Sequence, residues 1–208
     1  MADLPFPLDP DLAITLGRAL DVEGKVPRAL DALGPIADRD VVLVGGGDAE
    51  TKRLTALGAR LKPVAPLRSE AAGTGGWALP DASADVVVAA WSAFRGVEPD
   101  EMAEAERVLR PDGRLLVIHD YGRDDVARLR GDPPELREWS RRDGPFLRAG
   151  FRVRVIHCFW TFDSLDEARA FLRAAFGETG ATIGDALTRP RISHNVALYH
   201  RSWDDPPR

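Results

Sequence analysis

Three consecutive glycines, Gly45-Gly46-Gly47, close the apolar run Val41-Val42-Leu43-Val44 and lead into Asp48-Ala49-Glu50. Glycines at such a junction let a ligand approach the backbone, and a following helix offers unpaired N–H groups. Two phosphate-binding patterns can be tested directly. The P-loop pattern, G-x-x-x-x-G-K-[ST], is absent. The dinucleotide pattern, G-x-G-x-x-G, fits Gly45 and Gly47, but its third place is Glu50. A carboxylate there, beside Asp48, repels a pyrophosphate at a helix N-terminus. The charge disfavours NAD or ATP.

A second group, His119-Asp120-Tyr121, follows the apolar run Leu115–Ile118. His119 or Tyr121 could deprotonate or orient a hydroxyl or amine. Equally, Asp120 could cap the following turn while His119 packs beside the sheet. Trp91 and Phe94, after a third apolar run, could floor a pocket or serve as ordinary core and rim aromatics. The histidines at 119, 157, 194 and 200 never pair at i, i+3 or i, i+4, which argues against zinc. Cys158 lies in a strand pattern and reads as a small buried apolar group. No G-x-S-x-G elbow occurs. Asp124-Asp125 and Arg141-Arg142 read as surface charge.

These groups need elements to hold them. The Val-rich run at 40–46 reads as a strand covered on both faces, 85–91 as another buried strand and 114–120 as a third. A weaker strand spans 59–65, limited by Pro63, and two more are expected at 151–160 and 195–201. The stretch from Pro10 to Leu33 predicts two short helices interrupted at Gly24 and Pro27. Further helices are expected over Asp48–Leu57, with Ala49, Leu54 and Leu57 on one side, and over Pro99–Leu109. Residues 66–83 read as loop. The segment 124–149 is partly helical, broken at Pro133-Pro134 and Gly144-Pro145. Ser164 with Glu167 forms a capping box that opens a helix ending at Gly177. Strands alternating with helices imply a mostly parallel sheet with helices on both faces. Ligands bind such sheets at the strand carboxyl ends. That rule gathers Gly45–Asp48, Trp91–Phe94 and His119–Arg123 round one crevice.

The 208 residues suffice for one domain, with residues 1–37 as a helical segment packed on a core of 38–208. A net charge of −5 with dispersed arginines gives no footprint for nucleic acid or an anionic membrane. No apolar run approaches the roughly 20 residues of a membrane helix. A single cysteine permits no intrachain disulfide, and with no signal-like N-terminus a cytoplasmic location is expected.

The chain resembles the class I S-adenosylmethionine-dependent methyltransferases from about residue 38 onward. "VVLVGGGDA" lies where that family has its glycine-rich first motif. "WALPDASADVVVAAWSAF" resembles its Leu-Pro loop and following strand, and "EAERVLRPDGRLLVIHD" its helix, Arg-Val-Leu-Lys-Pro-Gly-Gly turn and fifth strand. The resemblance implies a Rossmann-like α/β sheet of seven strands, the last antiparallel. It also implies S-adenosylmethionine as cofactor, with Gly45, Gly46, Gly47, Asp48, Trp91 and Ser92 as its contacts. His119 and Tyr121 become the catalytic candidates, and no metal is implied. Ser92 stands where the amine-methylating members have an Asn-Pro-Pro-Tyr motif, which points away from their acceptors. Three acidic cofactor contacts of the family are missing. The place two before the first glycine is Leu43. No acid ends the second strand, Glu70 being too far along, and the place before the Leu-Pro loop is Gly73. Two functions follow. One is methyl transfer to a small molecule. The other is a non-catalytic, degenerate methyltransferase fold that senses a ligand or binds a partner. A homo-oligomer or protein partner stays open.

Overall fold

The computed structural model describes residues 8–67 and 76–202, without the side chain of Ala49. The lead-in 1–7, Glu70, Gly73 and the tail from residue 203 lie outside the described residues. Two short helices come first, α1 (Pro10–Ala19) and α2 (Lys25–Leu33). Gly24 takes the left-handed turn between them at φ 63° and supplies no side-chain cap. Asp21 supplies it instead, accepting from the N–H groups of Lys25 (2.9 Å) and Val26 (2.8 Å). Pro27 sits in the first turn of α2 and does not interrupt it, because an N–H there has no intrahelical partner to lose.

The alternating elements follow as β1 (Asp40–Val44), α3 (Asp48–Ala56), β2 (Arg60–Val64), β3 (Ala84–Ala90), α4 (Pro99–Val108) and β4 (Leu109–Asp120). Three short helices come next: α5 (Asp125–Leu129), α6 (Pro134–Trp139) and α7 (Pro145–Arg148). The prolines expected to break this segment open its helices, each at the first helical position of α6 and α7. The chain then runs through β5 (Arg152–Thr161), α8 (Leu165–Asp185) and β6 (Arg191–Ser202). Gly177 does not finish α8: its backbone leaves the helix at φ 56°, ψ −133°, and a second helical stretch follows at once. Ser164 caps α8 through the Glu167 N–H (3.1 Å), while Glu167 reaches back to the Asp163 N–H (2.9 Å), one residue earlier than a capping box requires.

Six strands form one sheet among the described residues, in the order β2-β1-β3-β4-β6-β5. The first four pair in parallel, and β6 runs antiparallel to both β4 and β5. The expected seventh strand is therefore not among the described elements. Parity splits each buried strand between two faces. Leu43, Val88 and Ile118 pack with α2 and α3 on one side. Val44, Val87 and Val117 pack with Ala105, Phe146 and Tyr199 on the other. A third cluster joins Leu16 and Leu20 to Trp160 and Phe171. β1 pairs with β2 on one side and β3 on the other, so the order reverses there. This is the place where open α/β sheets bind ligands.

Candidate functional site

The glycines are folded tightly onto their own chain. Gly45 adopts φ +72°, and a Cβ built on it would lie 2.6 Å from the Ser92 Cβ and 3.1 Å from Pro66. A Cβ on Gly46 would lie 2.7 Å from three side-chain atoms of Leu43. Leu43 is fully buried, so its branched end occupies the space under the loop where the family resemblance sets an acid. Gly47 is the N-cap of α3 and supplies no side-chain cap, so the cap residue itself leaves the helix start open to other partners. Asp48 is exposed on the first turn, whereas Glu50 is buried and pairs with Arg53 at 2.6 Å.

Trp91 directly follows β3 with φ 45°, a left-handed conformation that costs a bulky residue about 1–3 kcal/mol. Two bonds hold it there: its N–H donates to the Ile118 carbonyl (3.0 Å) and its indole Nε1 to Asp120 Oδ1 (2.9 Å). Asp120 does not cap the next turn. It is buried and also meets His194 Nε2 (3.1 Å) and Arg130. The indole of Trp160 donates to His194 Nδ1 (3.2 Å). An indole N–H can only donate, so Nδ1 accepts and the imidazole proton lies on Nε2, facing Asp120. Burial pushes the Asp120 carboxyl up, but the His194 hydrogen bond, the Arg130 charge and the Trp91 bond outweigh it and hold it below the usual range. The turn is capped by Asp124, which accepts from Ala127 N–H (2.7 Å) and Asn195 N–H (2.6 Å). Asp124 is buried and Asp125 holds Ser193, so neither is free surface charge.

His119 points to the opposite face of the sheet. It is buried beside Trp139, with ring centroids 5.2 Å apart, and its Nε2 lies 2.8 Å from Arg95 Nη1. Guanidinium can only donate, so Nε2 accepts and the ring is neutral. Burial lowers its pKa first and the Arg95 charge adds to that, bringing it down to about 3. With its lone pair engaged, His119 does not have the form of a general base. Tyr121 packs against the same face, its backbone N–H bonded to the Asn195 carbonyl (2.8 Å) and Arg123 over its ring. The strand ends thus bring together Gly45 with Ser92, and Trp91 with Asp120, but separate Trp91 from His119.

An apolar cleft lies beside the loop, between α2, α3 and the strand ends, lined by Leu30, Glu50, Leu54, Trp91, Cys158 and His194. Its empty volume, part of it open to solvent, is about 420 Å³. Cys158 is buried at its wall, and burial pushes its thiol up to about 12. Sequence reasoning missed His194 as part of this group. Its signal was present in the period of two, because it shares parity with Ile192, Val196 and Leu198, all on the buried face. Arg95 and Arg130 carried no such signal.

The donor of the resembled family meets a mixed fit. The uncapped start of α3 and the bend at Gly45 suit the amino-acid end of such a molecule. Leu43 cannot replace a hydrogen-bonding acid, and no carboxylate stands at the described end of β2 (Val64–Leu67).

No family model matches the chain, and no curated protein matches it. Solved structures do. One, of a proposed type II methyltransferase from Anaeromyxobacter dehalogenans, is 20% identical with a TM-score of 0.50, covering 85% of this chain and 95% of that one. Another, of a proposed methyltransferase from an antibiotic biosynthesis pathway of Anabaena variabilis, is 16% identical with a TM-score of 0.52, covering 89% and 99%. Identity at this level speaks for architecture alone. With its strand order and helices on both faces, the chain has the Rossmann-like α/β fold of the methyltransferases.

Proposed function

We propose that the chain transfers a methyl group from S-adenosylmethionine to a small-molecule acceptor at the crevice between β1 and β3. The observation that carries this reading is the uncapped N-terminus of α3, reached through Gly45–Gly47 at the point where the strand order reverses. Two solved structures of proposed methyltransferases have the same overall fold, which supports the reading. Gly45, Gly46, Gly47 and Asp48 would hold the amino-acid end of the donor, with Trp91 and Ser92 at the adjoining strand end. The donor supplies an electrophilic methyl carbon. The chain's own work is alignment and exclusion of water. His119, neutral and hydrogen-bonded to Arg95, would orient that arginine and not accept a proton, which leaves Tyr121 to orient the acceptor and solvent to take its proton.

A second reading is binding without transfer, in a ligand-sensing or partner-binding protein. The packing of Leu43 beneath Gly46 favours it, since each missing charged hydrogen bond weakens a ligand by about 1.5–3 kcal/mol. Linkage provides the test. A donor at ~100 times its dissociation constant stabilises the fold by about 2.7 kcal/mol. For a domain of this size, that raises the melting temperature by roughly 5–11 °C. We expect S-adenosylmethionine and S-adenosylhomocysteine to give such a shift at saturation, with matching heat by calorimetry. No shift and no heat at millimolar ligand would remove the transfer reading. Binding without turnover across an acceptor panel would support the second.

A further inference from the structure

Four half-buried arginines among the described residues have carboxylate partners, and Arg95 does not. Arg53 is paired with Glu50, Arg107 with Glu104 and Asp81, Arg110 with Asp40 and Asp85, and Arg130 with Asp120. The Arg95 guanidinium has only neutral partners: through Nη1 it meets the Ser92 carbonyl and the Nε2 of His119. Glu101 spends its Oε2 on the backbone N–H groups of Arg95 (3.1 Å) and Gly96 (2.8 Å) and acts on the guanidinium only at longer range. A partly desolvated charge without a counterion is costly, and it invites an anionic ligand.

The geometry is ready for one. The guanidinium lies 4.8 Å over the Trp139 ring, which fixes its plane, while the two bonds to Nη1 fix its rotation. None of its described hydrogen bonds uses Nη2 or Nε. Those two donors form an edge of the fork that matches a carboxylate with two parallel bonds. Position completes the argument. Ser92, whose carbonyl holds Arg95, is the residue whose Cβ closes on Gly45. The charge therefore sits over the ends of β3 and β4, one residue removed from the glycine loop. We propose that Arg95 binds a carboxylate on the acceptor, so that the acceptor is a small organic acid. His119 and Trp139 are positioning residues for that fork. The proposal rests on the crevice being a transfer site, but its test does not require the donor.

The probes are benzoate and benzamide, which share a shape and differ in charge, titrated into the full chain without donor. Binding is followed by calorimetry and by the arginine Nε–H signals in nitrogen–proton spectra. Benzoate is expected to bind about tenfold or more tightly than benzamide and to move the Arg95 Nε–H signal. Arg95→Gln is expected to lose that preference, and Arg95→Lys to keep part of it, with the backbone spectrum showing both variants folded. Equal affinity for acid and amide would overturn the proposal. So would no saturable benzoate binding at millimolar concentration, or a wild-type preference in Arg95→Gln. A separate donor titration keeps the two ideas apart: benzoate binding without donor binding overturns the transfer reading and the acceptor role with it but keeps Arg95 as a carboxylate site, whereas donor binding without benzoate binding overturns the Arg95 site alone.

Discussion

A Cβ added at Gly46 meets Cγ, Cδ1 and Cδ2 of Leu43 at 2.7 Å, and Leu43 has no solvent into which it can retreat. The loop glycine is thus tied to the identity of the residue beneath it. Gly46→Ala should destabilise the fold by about 1–3 kcal/mol through overpacking. Leu43→Ala alone should cost about 2–5 kcal/mol through the cavity it leaves. In the double variant the new methyl enters that cavity, so the sum of the two single effects should exceed the double effect by more than ~0.5 kcal/mol. Denaturant unfolding of the three variants measures it, and strict additivity would show that the two residues do not press on each other. The sequence displayed the anomaly at Leu43 but not its cause, because a missing acid does not reveal which side chain fills the space. His119 shows the same limit: its place at a strand end was legible, yet its face depends on strand register and its neutrality on an arginine 24 positions away.

At the level of elements, the segment "EAERVLRPDG" does scaffolding. Arg107 bonds Glu104, Asp81 and the carbonyls of Trp77 and Leu79, so it pins the loop that carries the Leu-Pro pair. Arg110 reaches the starts of β1 and β3 through Asp40 and Asp85, at the end of the sheet opposite the crevice. The hydrogen bonds of Arg60 and Arg110 bring the Asp40 carboxyl down to about 2. Its folded value lies below the ordinary 3.8, so this stabilisation is present above about pH 4 and is lost as pH falls towards 2. Arg110→Gln should therefore lower stability most at neutral pH, by a loss that shrinks as pH falls towards 2, and move the acid-unfolding midpoint to higher pH. An unchanged acid midpoint, followed by circular dichroism, would mean that Arg110 does not join the strand starts. Strands and helix faces could be read from periodicity. The break at Gly177 could not, since a glycine that ends one helix and one that joins two look alike in sequence.

For the whole molecule, the alternation of elements was enough to give a mostly parallel sheet with two covered faces, whereas the strand count depended on analogy. The place of α1 and α2 is a tertiary matter. Leu16, Ala19 and Leu20 pack with Trp160, while Val26, Ala29 and Leu30 join the cluster under β1. Leu20 also bridges to Trp160 through its backbone. We propose on this basis that residues 1–37 and the 38–208 core form one cooperative unit. Limited proteolysis should leave the helices attached, and a single unfolding transition should report both parts. Early release of a fragment ending near residue 37, from a core that keeps its melting temperature, would separate them.

The last strand along the chain is not last in space. β6 lies between β4 and β5, pairing Leu116 with His200 on one side and Val155 with Ala197 on the other. During synthesis, β4 and β5 leave the ribosome first with nothing between them, each offering an open edge. The sheet cannot close until residues 191–202 have emerged. Folding in step with synthesis would form the parallel half first, β1 to β4, with an exposed flank that waits on the final wedge. In that interval the nascent chain is most open to chaperones and to pairing with strands that are not its own.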